Sequence, residues 1–221
     1  MALTKFNYNS FDVTPVASKA LAFNSGANGL TTAAEGSMVL IKEVTASSDS
    51  TISFVDGTSD VVLDDTYPIY VFKFINIHLG TDDKDFQFNM SIDSGSNYNV
   101  TKTTTSFTAF HSENDTYASL AYNTGNDLAQ GTGFQNLSDD SSADADHGQC
   151  GTLHLFNPSS TTFVKHFISR TLNFDAYFSY DTYSAGYFNT TSALDKFQFK
   201  FSAGNIDSGD ICLYGISTWQ V

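Results

Sequence analysis

Residues 151–168 read Gly-Thr-Leu-His-Leu-Phe-Asn-Pro-Ser-Ser-Thr-Thr-Phe-Val-Lys-His-Phe-Ile, and their pattern decides the fold class. Two runs rich in β-branched and aromatic residues flank Asn157-Pro158-Ser159-Ser160. Pro158 presets φ for the first central position of a turn, and the Asn157 side chain can cap the bend. On the second arm Phe163, Lys165 and Phe167 share one face, and Thr162, Val164, His166 and Ile168 the other. The stretch is expected to form a β-hairpin deep in an antiparallel sheet.

The same two-residue period recurs on both sides of it. Phe72 and Phe74 alternate with Val71, Lys73 and Ile75. Phe86, Phe88 and Met90 alternate with Gln87, Asn89 and Ser91, and Phe197, Phe199 and Phe201 with Gln198, Lys200 and Ser202. Such alternation implies one buried and one wetted face, hence antiparallel sheets around an aromatic core. Strands are predicted near 38–45, 50–55, 68–77, 85–92, 104–111, 117–122, 152–157, 162–169, 176–188, 195–202 and 210–216. Gly57, Asp93-Ser94-Gly95, Gly125 and Gly204-Asn205 punctuate them as turns. With 20 Phe and 11 Tyr against 3 Met and 1 Trp, composition also favours strands over helices. The fold expected is all-β: an antiparallel β-sandwich of jelly-roll type over residues 38–216, with a closed eight-stranded barrel as the alternative.

Residues 1–37 break the pattern. They are rich in small and polar residues and hold no sustained period, yet carry Phe6, Tyr8, Phe11, Val13, Val16, Leu21 and Phe23. The chain therefore divides into an extended N-terminal arm, 1–37, and a β-sandwich domain, 38–221. Those seven side chains suit a docking strap that anchors the chain to another subunit.

A formal net charge of −14, from 10 Lys plus Arg against 24 Asp plus Glu, argues against nucleic acid and anionic lipid surfaces as partners. No apolar leader marks a secretory signal and no run is long enough for membrane insertion as a helix. Cys150 and Cys212 are expected as unpaired thiols, Cys212 buried. Few charges per aromatic residue imply apolar surface that a partner covers, hence a homo-oligomer.

Several stretches also carry a resemblance: Leu153-His154-Leu155-Phe156-Asn157-Pro158-Ser159-Ser160 running on to Phe167, Asp127-Leu128-Ala129-Gln130-Gly131-Thr132-Gly133-Phe134-Gln135, Asn76-Ile77-His78, Phe110-His111-Ser112-Glu113, Gly186 to Ala193, Gln198-Phe199-Lys200, and Leu213-Tyr214-Gly215-Ile216. Together they resemble a β-rich virion-protein module of marine tailed bacteriophages of the cyanophage and pelagiphage kind, over about residues 38–216. The resemblance implies a virion location after assembly in the host cytoplasm, other virion proteins as partners, and an oligomer that is commonly a trimer. The expected function is a non-enzymatic structural protein: a tail-fibre or appendage subunit, or a capsid decoration protein on the head shell. A carbohydrate-binding module that recognises a host surface glycan is the third reading.

Three constellations bear on chemistry. Asp139, Asp140, Asp144 and Asp146 lie close together in 123–149, the longest irregular stretch, and offer the oxygen donors that Ca²⁺ takes; a solvated acidic loop is the plainer account of them. Asp82-Asp83-Lys84-Asp85 and Asp64-Asp65 read as solvated acids. His154 and His166 can share one face of the hairpin but lack a third zinc ligand. Tyr177, Tyr180, Tyr183 and Tyr187 can stack on sugar rings, or fill a core or a subunit interface. No nucleophile elbow, reactive cysteine context or phosphate-cradling loop is present, so no catalytic residue and no cofactor are assigned.

Overall fold

The computed structural model describes residues 21–23, 30–32, 37–175 and 177–217. Among them there are only strands: β1 Leu21–Phe23, β2 Leu30–Thr32, β3 Met38–Thr45, β4 Ile52–Val55, β5 Ile69–Leu79, β6 Phe86–Ser91, β7 Lys102–Ser112, β8 Ala118–Tyr122, β9 Gln135–Asn136, β10 Gln149–Phe156, β11 Lys165–Phe174, β12 Phe178–Phe188, β13 Lys196–Phe201 and β14 Ile206–Ile216. β1 and β2 form a two-stranded ladder of their own inside the expected arm. The remaining strands build an eight-stranded sheet, ordered β3-β14-β5-β10-β11-β12-β7-β8, and a four-stranded sheet, ordered β4-β13-β6-β9; every pairing is antiparallel.

The two sheets pack face to face through the aromatic residues that the alternation picked out. Phe54, Phe86, Phe88, Phe197, Phe199 and Phe201 of the small sheet meet Phe72, Phe74, Leu153, Leu155, Phe167, Phe188 and Leu213 of the large one. Phe199 is the hub. Its ring lies 5.0 to 6.3 Å from those of Phe54, Phe72, Phe74, Phe86 and Phe88, mostly edge to face. Aromatic quadrupoles favour that geometry over a direct sandwich.

The hairpin of 151–168 is present and central, with Thr152 opposite Arg170 and Phe156 opposite His166. Its second arm starts later than the pattern predicts. Asn157 takes a left-handed φ of 46°, Ser160 N donates to the Asn157 carbonyl, and the Ser160 hydroxyl accepts from the amides of Thr162 and Phe163. Those local bonds hold 157–164 as a loop, so Phe163 is 72% exposed while Lys165 and Phe167 do face inward. Asn157 thus serves through its tolerance of positive φ rather than as a side-chain cap.

Beyond the small sheet's reach, the inner face of β11, β12 and β7 turns polar: Ser169, Thr171, Asn173, Thr182, Ser184, Thr104, Ser106 and Thr108 are all buried. The 123–149 stretch covers them and is not an independent loop. The Leu128 amide donates to Thr104 Oγ1 at 2.8 Å, Asn173 Nδ2 to the Asp139 carbonyl at 2.8 Å, and the Thr171 hydroxyl to the Leu137 carbonyl. Irregular backbone cannot satisfy itself when buried, and short hydroxyl and amide side chains supply the missing partners. The same logic corrects the expectation of a wetted second face on β6. Asn89 and Ser91 are buried there, with Asn89 Nδ2 donating to the carbonyls of Tyr98 and Thr132.

Two lysines are buried as well. Lys102 and Lys165 flank Phe188 on neighbouring strands, each with its ammonium on one carbonyl, of Val100 and Thr190. Burial lowers both, Lys102 from 10.5 to about 8.

Two outcomes follow from the core. Phe199→Ala is expected to cost about 3–5 kcal/mol of unfolding free energy, whereas Phe163→Ala changes it by less than ~0.5 kcal/mol, both read by denaturant titration. For Lys102 the charged form is penalised in the folded state, fully below pH 8 and not at all above 10.5. Stability should therefore rise as pH increases through that window. Lys102→Met should flatten its share of the rise and stabilise the protein at pH 7 by on the order of 2 kcal/mol, read as melting temperature against pH.

Candidate functional site

The outer face of the eight-stranded sheet is the surface with the most chemistry. Cross-strand registry places Phe107, Tyr183 and Arg170 side by side on β7, β12 and β11. Phe107 and Tyr183 stack at 4.9 Å with only 7° between their planes, and the Arg170 guanidinium lies 5.0 Å from the centre of the Tyr183 ring. Asp181, two residues along β12, holds Arg170 through both oxygens at 2.9 and 2.6 Å. The pair is half exposed, so its worth is orientation more than stability.

Next to this ladder the small side chain of Ala185 leaves a shallow depression of about 380 Å³, walled by Thr105, Phe156, His166, Ile168 and Tyr187. At its rim Gln130 Nε2 donates to Thr103 Oγ1 at 2.6 Å and to the Tyr187 hydroxyl at 3.3 Å, and Asn189 Nδ2 donates to Gln130 Oε1. Three stretches far apart in sequence, 127–135, 153–167 and 186–193, thus meet at one end of this face. Gly186 is required beneath it: a Cβ there would sit 2.6 Å from the Thr103 carbonyl oxygen.

The four candidate tyrosines do not form one platform. Tyr183 has Phe107 beside it on one strand and Arg170 on the other, so its ring is already engaged. Tyr180 points inward, where it clusters with Phe110 and Phe178. Burial, then Asp175, push its hydroxyl up. Tyr187 borders the depression near His166. Tyr177 is exposed at the β11–β12 turn, roughly 30 Å along the strand from Tyr187 at 3.3 Å per residue.

The acidic candidates split in two. Asp139 and Asp140 come together with Asp85, one carboxylate oxygen from each lying within 4.8 Å of the others. Asp144 and Asp146 instead flank His147. By sequence Asp85 reads as a solvated acid, because nothing in the spacing links residue 85 to residue 139. The link is the antiparallel bridge of Lys84 with Ser141. Existing bonds already occupy part of the group: the Asp140 amide and Asn136 Nδ2 donate to Asp85, and Asn123 Nδ2 to Asp139. Burial first and Asp139 second hold the Asp85 and Asp140 carboxyls above their ordinary range. Three hard oxygen donors suit Ca²⁺, which takes six to eight.

Elsewhere, His154 and His166 do lie diagonally on one face, opposite Ile168 and Phe156 respectively. The aspartate trio is the one metal-compatible grouping among the described residues, and it contains no histidine. Cys150 is free and exposed, Cys212 free and buried. Of the arm's docking residues, Phe6, Tyr8, Phe11, Val13 and Val16 lie outside the described residues, while Leu21 and Phe23 end β1. No helix of the described residues is long and apolar enough to cross a membrane. No known family, curated protein or solved structure matches the chain.

The aspartate trio yields a pH-dependent outcome. Ionisation of a carboxyl held high in the folded state opposes folding, so that penalty is full at neutral pH and gone below the unfolded value of 3.8. Asp140 also sits at φ 42°, which asparagine tolerates. Asp140→Asn is expected to raise the melting temperature at pH 7, with the gain fading as pH falls towards 3.8. Equal gains at both pH values would refute the charge argument.

Proposed function

We propose that the chain is a non-enzymatic structural subunit of a bacteriophage particle, a tail-fibre or appendage protein with a jelly-roll body. The strand order supports the jelly-roll reading. Eight strands alternate between the layers as β3-β14-β5-β10 over β4-β13-β6-β9, the order of two interlocked Greek keys. Two hairpins, β7–β8 and β11–β12, are inserted between successive strands of that pattern, and both extend the first sheet. Jelly rolls serve in viral shells and in lectins, so the architecture alone does not choose a function.

The observation that carries the proposal is the distribution of exposed apolar side chains. Met38, Leu40, Ile75, Phe107, Leu120, Tyr122, Ile168 and Leu172 are large, more than 40% exposed, and all on strands of the eight-stranded sheet. Large exposed apolar side chains spread across one sheet in this way favour an assembly component over a free-standing protein. The stretches that carry the phage resemblance support the same reading, because they contact one another as scaffold. Lys200 lies 4.3 Å over Phe134, and Gln130 joins Tyr187 to Asn189. A glycan-recognition role finds less support, since the rings of Tyr180 and Tyr183 are engaged within the fold.

The test is quantitative mass spectrometry of purified particles, paired with immunogold labelling. A few tens of copies or fewer, labelled at the tail, is the expected result. Hundreds of copies on the head would move the protein to the capsid-decoration reading, and absence from particles would overturn the proposal. In the same experiment, a chain lacking residues 1–37 is expected to fold yet fail to enter particles.

A further inference from the structure

The two sheets have four edges, and three of them are protected. β3 carries Lys42 and Glu43 side by side and a register shift against β14 between Leu213 and Tyr214. β4 is four residues long and β9 only two. Short length, charge and bulges are the devices by which natural sheets avoid pairing with other chains. β8, Ala118-Ser119-Leu120-Ala121-Tyr122, lacks charge, proline and bulge, keeps a continuous register with β7, and at five residues is the longest of the uncharged edges. We propose that β8 is a self-association edge, at which a second copy of this chain pairs antiparallel across a two-fold axis and joins the two large sheets into one.

The geometry gives the register. Ser112 N donates to the Tyr117 carbonyl and Asn123 N to the Ser106 carbonyl, each at 2.9 Å. Tyr117, Ser119, Ala121 and Asn123 therefore direct their backbone groups to β7, and Ala118, Leu120 and Tyr122 direct theirs outward. Among the described residues no further strand or loop backbone bonds those outward groups. Pairing centred on Leu120 sets Leu120 against the copy's Leu120 and Ala118 against its Tyr122, small opposite large on both sides of the axis. The isologous contact closes as a dimer and uses the β8 edge of both copies, leaving only the protected edges free.

The edge itself carries no like charge to oppose pairing: residues 116–126 hold no Asp, Glu, Lys or Arg in a chain of net charge −14. The acids that border the run are already engaged: Asp115 with His111 Nε2 at 3.0 Å, and Asp127 with the Tyr122 hydroxyl at 2.7 Å. Phe107, Tyr117, Leu120 and Tyr122 are 41, 55, 69 and 54% exposed. Leu120 and Tyr122 stand on the outer face of the edge strand and Tyr117 on the inner, beside Phe110, so a strand paired here meets apolar side chains on both faces. The dimer should tighten with salt as the net repulsion is screened.

The inference concerns the purified chain and does not rest on the particle reading. Its test is sedimentation velocity on the full chain, with cysteine cross-linking in a Cys150→Ser background. The expected result is a concentration-dependent dimer that Leu120→Lys weakens at least about tenfold. Leu120→Pro should do the same while leaving the melting transition in place, because only the outward N–H is removed and the β7 ladder keeps its bonds. Leu120→Cys should form an interchain disulfide on oxidation. Ala118→Cys alone should not, but should cross-link when mixed with Tyr122→Cys. A monomer at high micromolar concentration, a dimer indifferent to both Leu120 variants, or no cross-link at position 120 would each overturn the proposal.

Discussion

A four-stranded sheet cannot cover an eight-stranded one, and much of this structure follows from that mismatch in width. Where β4, β13, β6 and β9 lie over the large sheet, phenylalanine fills the gap and Phe199 touches five other rings. Where they end, irregular chain must close the face, and irregular chain brings unpaired amides and carbonyls with it. The inward positions of β7, β11 and β12 are accordingly serine, threonine and asparagine. The interior is thus an aromatic half and a hydroxyl half, joined at Phe188 between its two buried lysines.

The aromatic half was legible in the sequence because Phe-x-Phe alternation in 72–74, 86–88 and 197–201 reports both strand and core with a single signal. The hydroxyl half was not. Thr-x-Ser-x-Thr at 104–108 reads as a wetted face by composition, and only the overlying segment makes it an interior. The same blindness hid the aspartate trio. Asp139 and Asp140 stand out as an acidic run, but the partner that completes them, Asp85, arrives through a bridge between segments more than fifty residues apart. The hairpin's centre was readable from its turn chemistry, whereas its loop was lengthened by serine and asparagine bonds that no periodicity reports.

The outer face obeys a different economy. Its rings are mutually engaged, Phe107 on Tyr183 and Tyr183 under Arg170, and its isolated aliphatic groups stand open. Aromatic abundance in β12 therefore does not translate into a row of free ring faces. What the sheet leaves available is flat, apolar and wide, a shape suited to another protein surface more than to a small ligand enclosed on several sides.

The placement of β14 has a consequence for synthesis. β14 lies between β3 and β5, and β13 lies between β4 and β6. As the polypeptide emerges, β3 and β4 have no neighbour until residues 196–216 leave the ribosome, and β5 and β6 have one each, β10 and β9, while the β10–β11–β12 meander can zip as soon as it is made. Translation therefore presents a long interval in which the most aromatic strands wait with open sides. Contacts spanning nearly the whole length make the final closure slow as well as late. The acidity of the chain acts during that wait, when like charge keeps unfinished copies apart before any of them has an inside to hide its phenylalanines.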